Sequence, residues 1–472
     1  MTRLGVGLTY VPGLDRILAE VADLLDVVEI EPQSLWRVRS DGGIQIDEDV
    51  LGRLSDLPGA RLLHGVGNPV GGYGLPDPRY TELFGELAGR LRAPWVSEHL
   101  AFNRVADRTG SFHTGFMLPP CQTAAGAHAA ARSVRSMADA LPVPLAVEIG
   151  ANYLRPRPGD LSDGAFVRRV AEESGCGLLL DLHNVLANER NGRGSVDDLL
   201  ADLPLDRVWE VHLAGGFEYR GYWLDAHSGL PEDDLLALAG RVLPRLPALR
   251  AVLFEVTPSA VPDLDAGAVR ELLVAVKEMW PQRAALPPLS PPHTMAVPHA
   301  AGEETTAPCD WELALGSLVV GRDPGTSPLA RELAADPAIG LLRDLVAEFR
   351  GSALTGTLRY TMRLLFLTLG PDGVGELLGA YMRARPPRLF ASEEAFAFAD
   401  HLLEARPRVP WLTDVVELDR GLLRARLDGS PCTVGLRTDP TALMTDLGAG
   451  RLPVAPQRGH FRVRLVDDLA PA

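Results

Sequence analysis

Eight short apolar runs recur along the first 280 or so residues, each ending in polar residues and each followed by a stretch with helical spacing. They occupy 4–8, 27–30, 61–64, 95–99, 145–148, 178–181, 208–213 and 252–255. Continuous runs of Val, Leu and Ile suit strands buried on both faces, as in a parallel sheet. Between them, the stretch 13–25 carries Leu14, Ile17, Leu18, Val21 and Leu25 at helical spacing, and 123–141 is rich in alanine. Eight such units in this length predict an α/β fold, a closed (β/α)8 TIM barrel. An open doubly wound sheet fits less well, because no Gly-x-Gly-x-x-Gly follows the first run; Gly5 and Gly7 lie inside it.

The pattern changes after that. Residues 283–308 are rich in proline and lack apolar periodicity, and read as a linker. Beyond it the spacing is helical. Val374, Leu377, Leu378 and Tyr381 form one stripe, and Phe396, Ala399, Leu402 and Leu403 another. Ser392 is expected to start the second helix, with Glu393 and Glu394 in its first turn, where they suit the helix dipole. The tail, 433–436 and 461–466, is more β-like. The expected organisation is therefore a barrel over 1–282, the linker, and a mainly helical domain over 309–472 with a small β-like tail.

In a barrel the C-terminal ends of all strands converge on one mouth, where active sites are built. His64 ends the third run, Glu98 and His99 the fourth, and Glu148 the fifth. Asp181 ends the sixth, with His183 and Asn184 next to it; His212 lies in the seventh, Asp225 and His227 follow it, and Glu255 ends the eighth. One histidine after a strand is commonly a satisfied structural residue. Several carboxylates gathered in one cleft are costly unless cations neutralise them, and metal ions supply that charge. Imidazole and carboxylate donors without thiolate suit iron, manganese or catalytic zinc, and the number of histidines disfavours magnesium and calcium.

Composition narrows the partners. The 472 residues are 46% hydrophobic and 23% charged, enough for two cores, and the net charge of −16 shows no basic face for nucleic acid. The basic residues are nearly all Arg, Lys277 being the one Lys, which reads as coding bias. The four cysteines, Cys121, Cys176, Cys309 and Cys432, sit at no metal-ligand or redox spacing, so a reducing cytoplasm is the expected setting. The first residues carry no signal-peptide core, and no run approaches a membrane span.

On the segments Gly5-Val6-Gly7-Leu8, Leu63-His64-Gly65-Val66-Gly67, Val96-Ser97-Glu98-His99-Leu100, Phe116-Met117-Leu118-Pro119, Val147-Glu148, Leu180-Asp181-Leu182-His183-Asn184-Val185, Val211-His212-Leu213-Ala214-Gly215, Asp225-Ala226-His227 and Phe254-Glu255, the chain resembles a known family. These are the multinuclear non-haem iron-dependent oxidative enzymes of the methanobactin-biosynthesis type, barrels long known as a domain of unknown function. The resemblance covers roughly residues 1–280. It implies metal ligands at His64, His99, Glu148, Asn184, His212, Asp225, His227 and Glu255, with Asp181 as a further ligand or supporting residue; Asp181 and Glu98 are the candidates for catalytic roles. It also implies two or three irons, molecular oxygen as cosubstrate, and oxidation of a residue, usually Cys, in a ribosomally made precursor peptide.

Three positions depart from that family's pattern. Its acidic residue and Asn after the second strand are met here by Glu29-Ile30-Glu31-Pro32-Gln33-Ser34. Its His after the seventh-strand Ala-Gly is Gly216, and Val256 and Thr257 stand where an acidic residue usually follows Glu255.

In the C-terminal half, Gly379-Ala380-Tyr381, Arg385-Pro386-Pro387, the stretch 396–403 and Trp411-Leu412-Thr413-Asp414-Val415-Val416-Glu417-Leu418-Asp419 resemble the small partner proteins that help such enzymes dock their peptide. Enzyme and partner would then be fused, which raises the effective concentration of each for the other. The competing expectation is a divalent-metal hydrolase or isomerase of the endonuclease IV and xylose isomerase type, which also places His, Asp and Glu at barrel strand ends.

Overall fold

All eight expected runs are strands, and they close on themselves. The computed structural model describes residues 3–108, 110–280 and 306–466. Its barrel strands are β1 (Gly5–Tyr10), β2 (Val27–Ile30), β3 (Ala60–Gly65), β4 (Val96–His99), β5 (Leu145–Glu148), β6 (Gly177–Asp181), β7 (Val208–Leu213) and β8 (Ala251–Phe254). Each pairs in parallel with its sequence neighbours, and β1 also pairs with β8. The expected linker, apart from residues 306–308, lies outside the described residues.

Side chains alternate across a strand, so each strand sends every second residue into the barrel. Val28, Leu63, Val147 and Phe254 face the helices and join the main core. Val27, Leu62, Ala146 and Leu253 form an apolar plug with Trp95 and Trp209. Two residues further along the same strands stand Glu29, His64, Glu148 and Glu255, all buried. An apolar layer is thus topped by a layer of carboxylates and an imidazole. That parity turns the strand-end polar residues into one basin.

Three hairpins rise around the mouth: Trp36–Val38 with Ile44–Ile46, Phe102–Asp107 with Gly110–Leu118, and Phe217–Tyr219 with Tyr222–Leu224. None was expected from the apolar runs. The C-terminal region is mainly helical and ends in an antiparallel pair, Cys432–Thr438 with Arg458–Leu465. The helix Ala391–Ala405 begins one residue before Ser392, whose side chain makes no cap, and its first turn does hold Glu393 and Glu394. Among the described residues no helix is long and apolar enough to cross a membrane.

The helices Pro308–Val319 and Ala338–Thr357 share a core with the second hairpin. Trp311, Leu315, Leu318 and Leu342 pack with Phe102, Val105, Phe112 and Leu118. The Trp311 indole donates to the carbonyl of Pro119 at 3.0 Å. At one edge of this seam Glu312, 5% exposed, accepts from the backbone N–H of Tyr73. Burial pushes its carboxyl up to about 7, above the roughly 4.3 of an unfolded chain. The folded state therefore favours the neutral acid. Its contribution is complete below about pH 4.5, declines as pH rises and is gone above about pH 7, a swing on the order of 3 kcal/mol. Glu312→Gln is expected to match the parent in thermal stability near pH 4.5 and to exceed it at pH 8. Equal melting temperatures at both pH values would show that Glu312 ionises freely in the fold.

Candidate metal centre

Strand parity brings the predicted residues into a single basin, where they fall into overlapping groups. In the first, Nε2 of His64 lies 3.0 Å from Oε2 of Glu148, and Nε2 of His99 lies 2.9 Å from the same oxygen. The two rings are 4.6 Å apart. The other nitrogen of each ring is engaged elsewhere: Nδ1 of His99 meets the carbonyl of Gly65 at 2.9 Å, and Nδ1 of His64 meets Oγ of Ser97 at 2.8 Å. A carbonyl only accepts, so Nδ1 of His99 carries the proton and Nε2 presents a lone pair to Glu148. Two acceptors at that distance need a cation between them, either a proton or a metal ion.

The second group is Glu148, Asp181, His212 and Glu255, whose ligand atoms also lie within 4.8 Å of one another. His212 Nδ1 is 2.7 Å from Glu255 Oε2. Asp181 is wholly buried; one oxygen caps the helix Leu182–Arg190 by accepting from the Asn184 N–H at 3.0 Å, and the other stands 3.5 Å from Nε2 of His227. That ring is also 2.8 Å from Asp225 Oδ1. One end of the Asn184 amide lies 3.3 Å from Glu148 and the other 3.0 Å from Asp225. His227 adopts φ 44°, an unusual conformation for a residue with a side chain. Thr257, standing where an acidic residue was expected, donates to the His227 carbonyl through N–H at 3.0 Å and Oγ1 at 3.3 Å.

Glu98 is set apart. Its oxygens accept from the backbone N–H groups of His99, at 2.9 Å, and Asn68, at 3.3 Å. It leans over Gly65, where a Cβ would come within 2.3 Å of its carboxylate and would push that carboxylate aside.

Three site residues escape a reading based on strand ends. Glu29 and Glu210 are fully buried inside the barrel, forming with His212 a third group that could hold an ion. Their signal is present in the sequence: each is an acid within an apolar strand, and Glu210 has the parity of His212. Glu31, just past β2, is raised by burial and by the charge of Glu255, while His64, His99 and His227 pull it down, which places its carboxyl over the same basin.

The electrostatics match the geometry. Burial opposes charge on the imidazoles of His99, His212 and His227, yet the surrounding carboxylates hold all three well above the ordinary value. Burial likewise opposes charge on Glu148, but His99 and His64 hold it well below the usual range. Glu255 is brought to about 2, against burial, by His227 and His212. Burial and the neighbouring Glu210 raise Glu29 to about 7. Nε2 of His64, Oε2 of Glu148, Oδ2 of Asp181 and the Nε2 atoms of His212 and His227 are buried without an aligned hydrogen-bond partner among the described residues. Each such atom costs about 1–3 kcal/mol. Their convergence, with imidazole and carboxylate donors only, fits iron, manganese or zinc.

The basin opens to a solvent-connected cleft lined by His99, Phe116, Met117, Ile149, Tyr153 and Asp225. The Tyr153 hydroxyl accepts from the Asp225 N–H at 3.0 Å. Phe349, from the C-terminal helix Ala338–Thr357, packs against Phe116 at 5.6 Å between ring centroids, so that helix reaches the rim.

Residues 5–273 match the model of the RiPP precursor modification enzyme family MbnB/TglH/ChrH. The chain belongs to this family. It is similar to a UPF0276 protein of Chromobacterium violaceum, 28% identical over 281 residues that cover 58% of this chain and 99% of that protein. A UPF0276 protein of Streptomyces avermitilis is 33% identical over 240 residues, covering 49% of this chain and 46% of that protein. Among solved structures, D-psicose 3-epimerase with D-tagatose from Clostridium cellulolyticum H10 aligns over 58% of this chain and 96% of its own at 13% identity, with a TM-score of 0.36, too slight a likeness to bear on chemistry. The family match spans all eight barrel strands, ends inside the helix Ala266–Met279 and stops before the C-terminal helices.

Proposed function

We propose that this chain is a multinuclear iron enzyme that uses molecular oxygen to oxidise a residue, a Cys in the first instance, of a ribosomally made precursor peptide. The observation that carries the reading is the sharing of Glu148 between His64 and His99 on one side and Asp181, His212 and Glu255 on the other. A carboxylate common to both donor groups would let them hold two ions close together. In this reading Asn184, Asp225 and His227 complete the outer side of the centre, and a third ion is not needed to use the donors.

Iron bound there would supply electrons to dioxygen and a Lewis-acid position for a substrate thiolate. The chain's own residues do the rest. Phe116, Met117 and Ile149 wall the cleft and exclude water from the reacting residue. Tyr153 holds the backbone of Asp225, and Thr257 that of His227, so the loop after β7 keeps both side chains turned inward. Asp181 has one oxygen committed to the helix cap and one left to face the centre. Glu98, with both oxygens on backbone amides, orients His99 and exchanges no proton with substrate. The C-terminal helices, at the rim of the cleft, take the partner's part in docking the peptide, and the cytoplasm is the setting.

Protein purified without added metal is expected to hold about two or more irons per chain. With oxygen and a Cys-containing precursor peptide as substrate, it should change that peptide's mass. Stoichiometric zinc without iron, or an unaltered peptide mass with the iron-loaded protein, would remove the oxidase reading.

A further inference from the structure

The interior of a barrel is ordinarily filled by layers of branched apolar side chains. Here two carboxylates, Glu29 from β2 and Glu210 from β7, occupy that space, each with no exposed surface. A buried carboxylate is expensive unless something nearby uses its charge. Glu210 accepts from the Trp95 indole N–H at 2.9 Å, and Thr9 Oγ1 lies 3.5 Å from Glu29 Oε1. Both also lie beside His212. Its Nε2 stands 3.0 Å from Glu29 Oε1 and 3.9 Å from Glu210 Oε1, close though not in line for a straight hydrogen bond. Its Nδ1 points the opposite way, 2.7 Å from Glu255 Oε2.

The ring therefore lies between two fields. Below Nε2 are two carboxylates sealed from water. Above Nδ1 is the group formed with Glu148, Asp181 and Glu255. A metal ion on the upper side takes the place of the Nδ1 proton. The proton left on the ring is the one on Nε2, which faces the Glu29 and Glu210 carboxyl oxygens at 3.0 and 3.9 Å.

We propose that Glu29, backed by Glu210, is a positioning residue of the metal centre: from inside the barrel it holds the proton on Nε2 of His212, which makes Nδ1 the ligating atom and a stronger donor. This rests on the reading of His212 as a ligand. A carboxylate behind a ligating imidazole fixes its tautomer and raises its basicity, and loss of such a partner typically weakens metal affinity about 10–100-fold. A more basic imidazole also stabilises the more oxidised ion, so the carboxylate lowers the reduction potential.

The test compares the parent with Glu29→Gln and Glu210→Gln in the full chain, reading iron stoichiometry, iron affinity by chelator competition, and midpoint potential. Glutamine keeps the volume and an acceptor oxygen but not the charge. Glu29→Gln is expected to bind the same number of irons as the parent, about 10–100-fold more weakly, at a raised potential. Glu210→Gln, being further from Nε2, should show the same direction to a smaller extent. Loss of one whole equivalent in Glu29→Gln, with the rest bound as tightly as before, would make Glu29 a ligand and overturn the proposal. So would parental affinity and potential in both variants. Failure of the parent itself to bind iron would instead bring down the metal reading, and the parent's own titration shows it before any variant is compared. Glu29→Asp, which restores the charge, should recover part of the affinity; no recovery together with a parental potential counts against the proposal.

Discussion

Glu148→Ala is expected to lose affinity for every ion of the centre at once, by upwards of about 100-fold. Glu148 belongs to both groups of donors at the mouth, whereas His212 at the mouth belongs to one. His212→Ala should therefore lose one ion and keep another, bound by His64, His99 and Glu148. The contrast between the two variants is more informative than either loss alone. Peptide modification should disappear in both, since a thiolate and dioxygen need two adjacent positions. Both chains should stay folded, because the apolar layer beneath, from Val27 to Leu253, and the helix-facing core are untouched. The measurement is iron per chain after dialysis against a weak chelator, with near-UV circular dichroism as the check on fold. Full iron content in Glu148→Ala would remove it from the centre, and equal losses in both variants would mean that the donors do not divide as the distances suggest.

Much of this centre was legible in the sequence because a barrel converts strand ends into neighbours. His64, His99, Glu148, Asp181 and Glu255 end their runs, so knowing the architecture is enough to gather them. Asp225 and His227 come from the loop after the seventh strand, so no strand end places them; their approach depends on a left-handed turn at His227 that no spacing announces. Glu29 and Glu210 carry a visible signal, an acid within an apolar strand and, for Glu210, the parity of His212, but a reading of strand ends does not reach them. The hairpin from Phe102 to Leu118 was hidden because its strands alternate and carry Asn103, Arg104 and His113, so they form no continuous apolar run. Glu394 shows another limit. Its place in the first turn of its helix was foreseen, while its main partner lies 44 residues earlier in the chain, beyond any local pattern.

That partner is Arg350, and breaking the pair is expected to be the most damaging single change in the C-terminal half. Nε of Arg350 donates to Glu394 Oε1 at 2.6 Å, with side-chain exposures of 5% and 3%. The same guanidinium donates to the carbonyl of Arg385 at 3.0 Å and lies over the Tyr381 ring at 4.8 Å. The second oxygen of Glu394 accepts from the Arg388 N–H at 2.9 Å. The pair thus pins both ends of the turn 385–388. That turn seats Pro387 against Gly115, where an added Cβ would stand 2.9 Å from the proline ring, and Phe116 next to it lines the cleft. Glu394→Ala strands a buried guanidinium and should destabilise the region by about 3–5 kcal/mol, lowering its melting temperature by roughly 10 °C. Replacing both partners, Arg350→Met with Glu394→Leu, removes the stranded charge and should recover most of that stability. If the turn matters only for folding, the double variant will modify peptide as the parent does. If it shapes the rim of the cleft, the double variant will be stable, keep its iron, and still show a raised KM for peptide, because the backbone contacts at Arg385 and Arg388 are both gone from it. The second outcome is expected, since apolar side chains restore packing but cannot hold those two backbone groups in place.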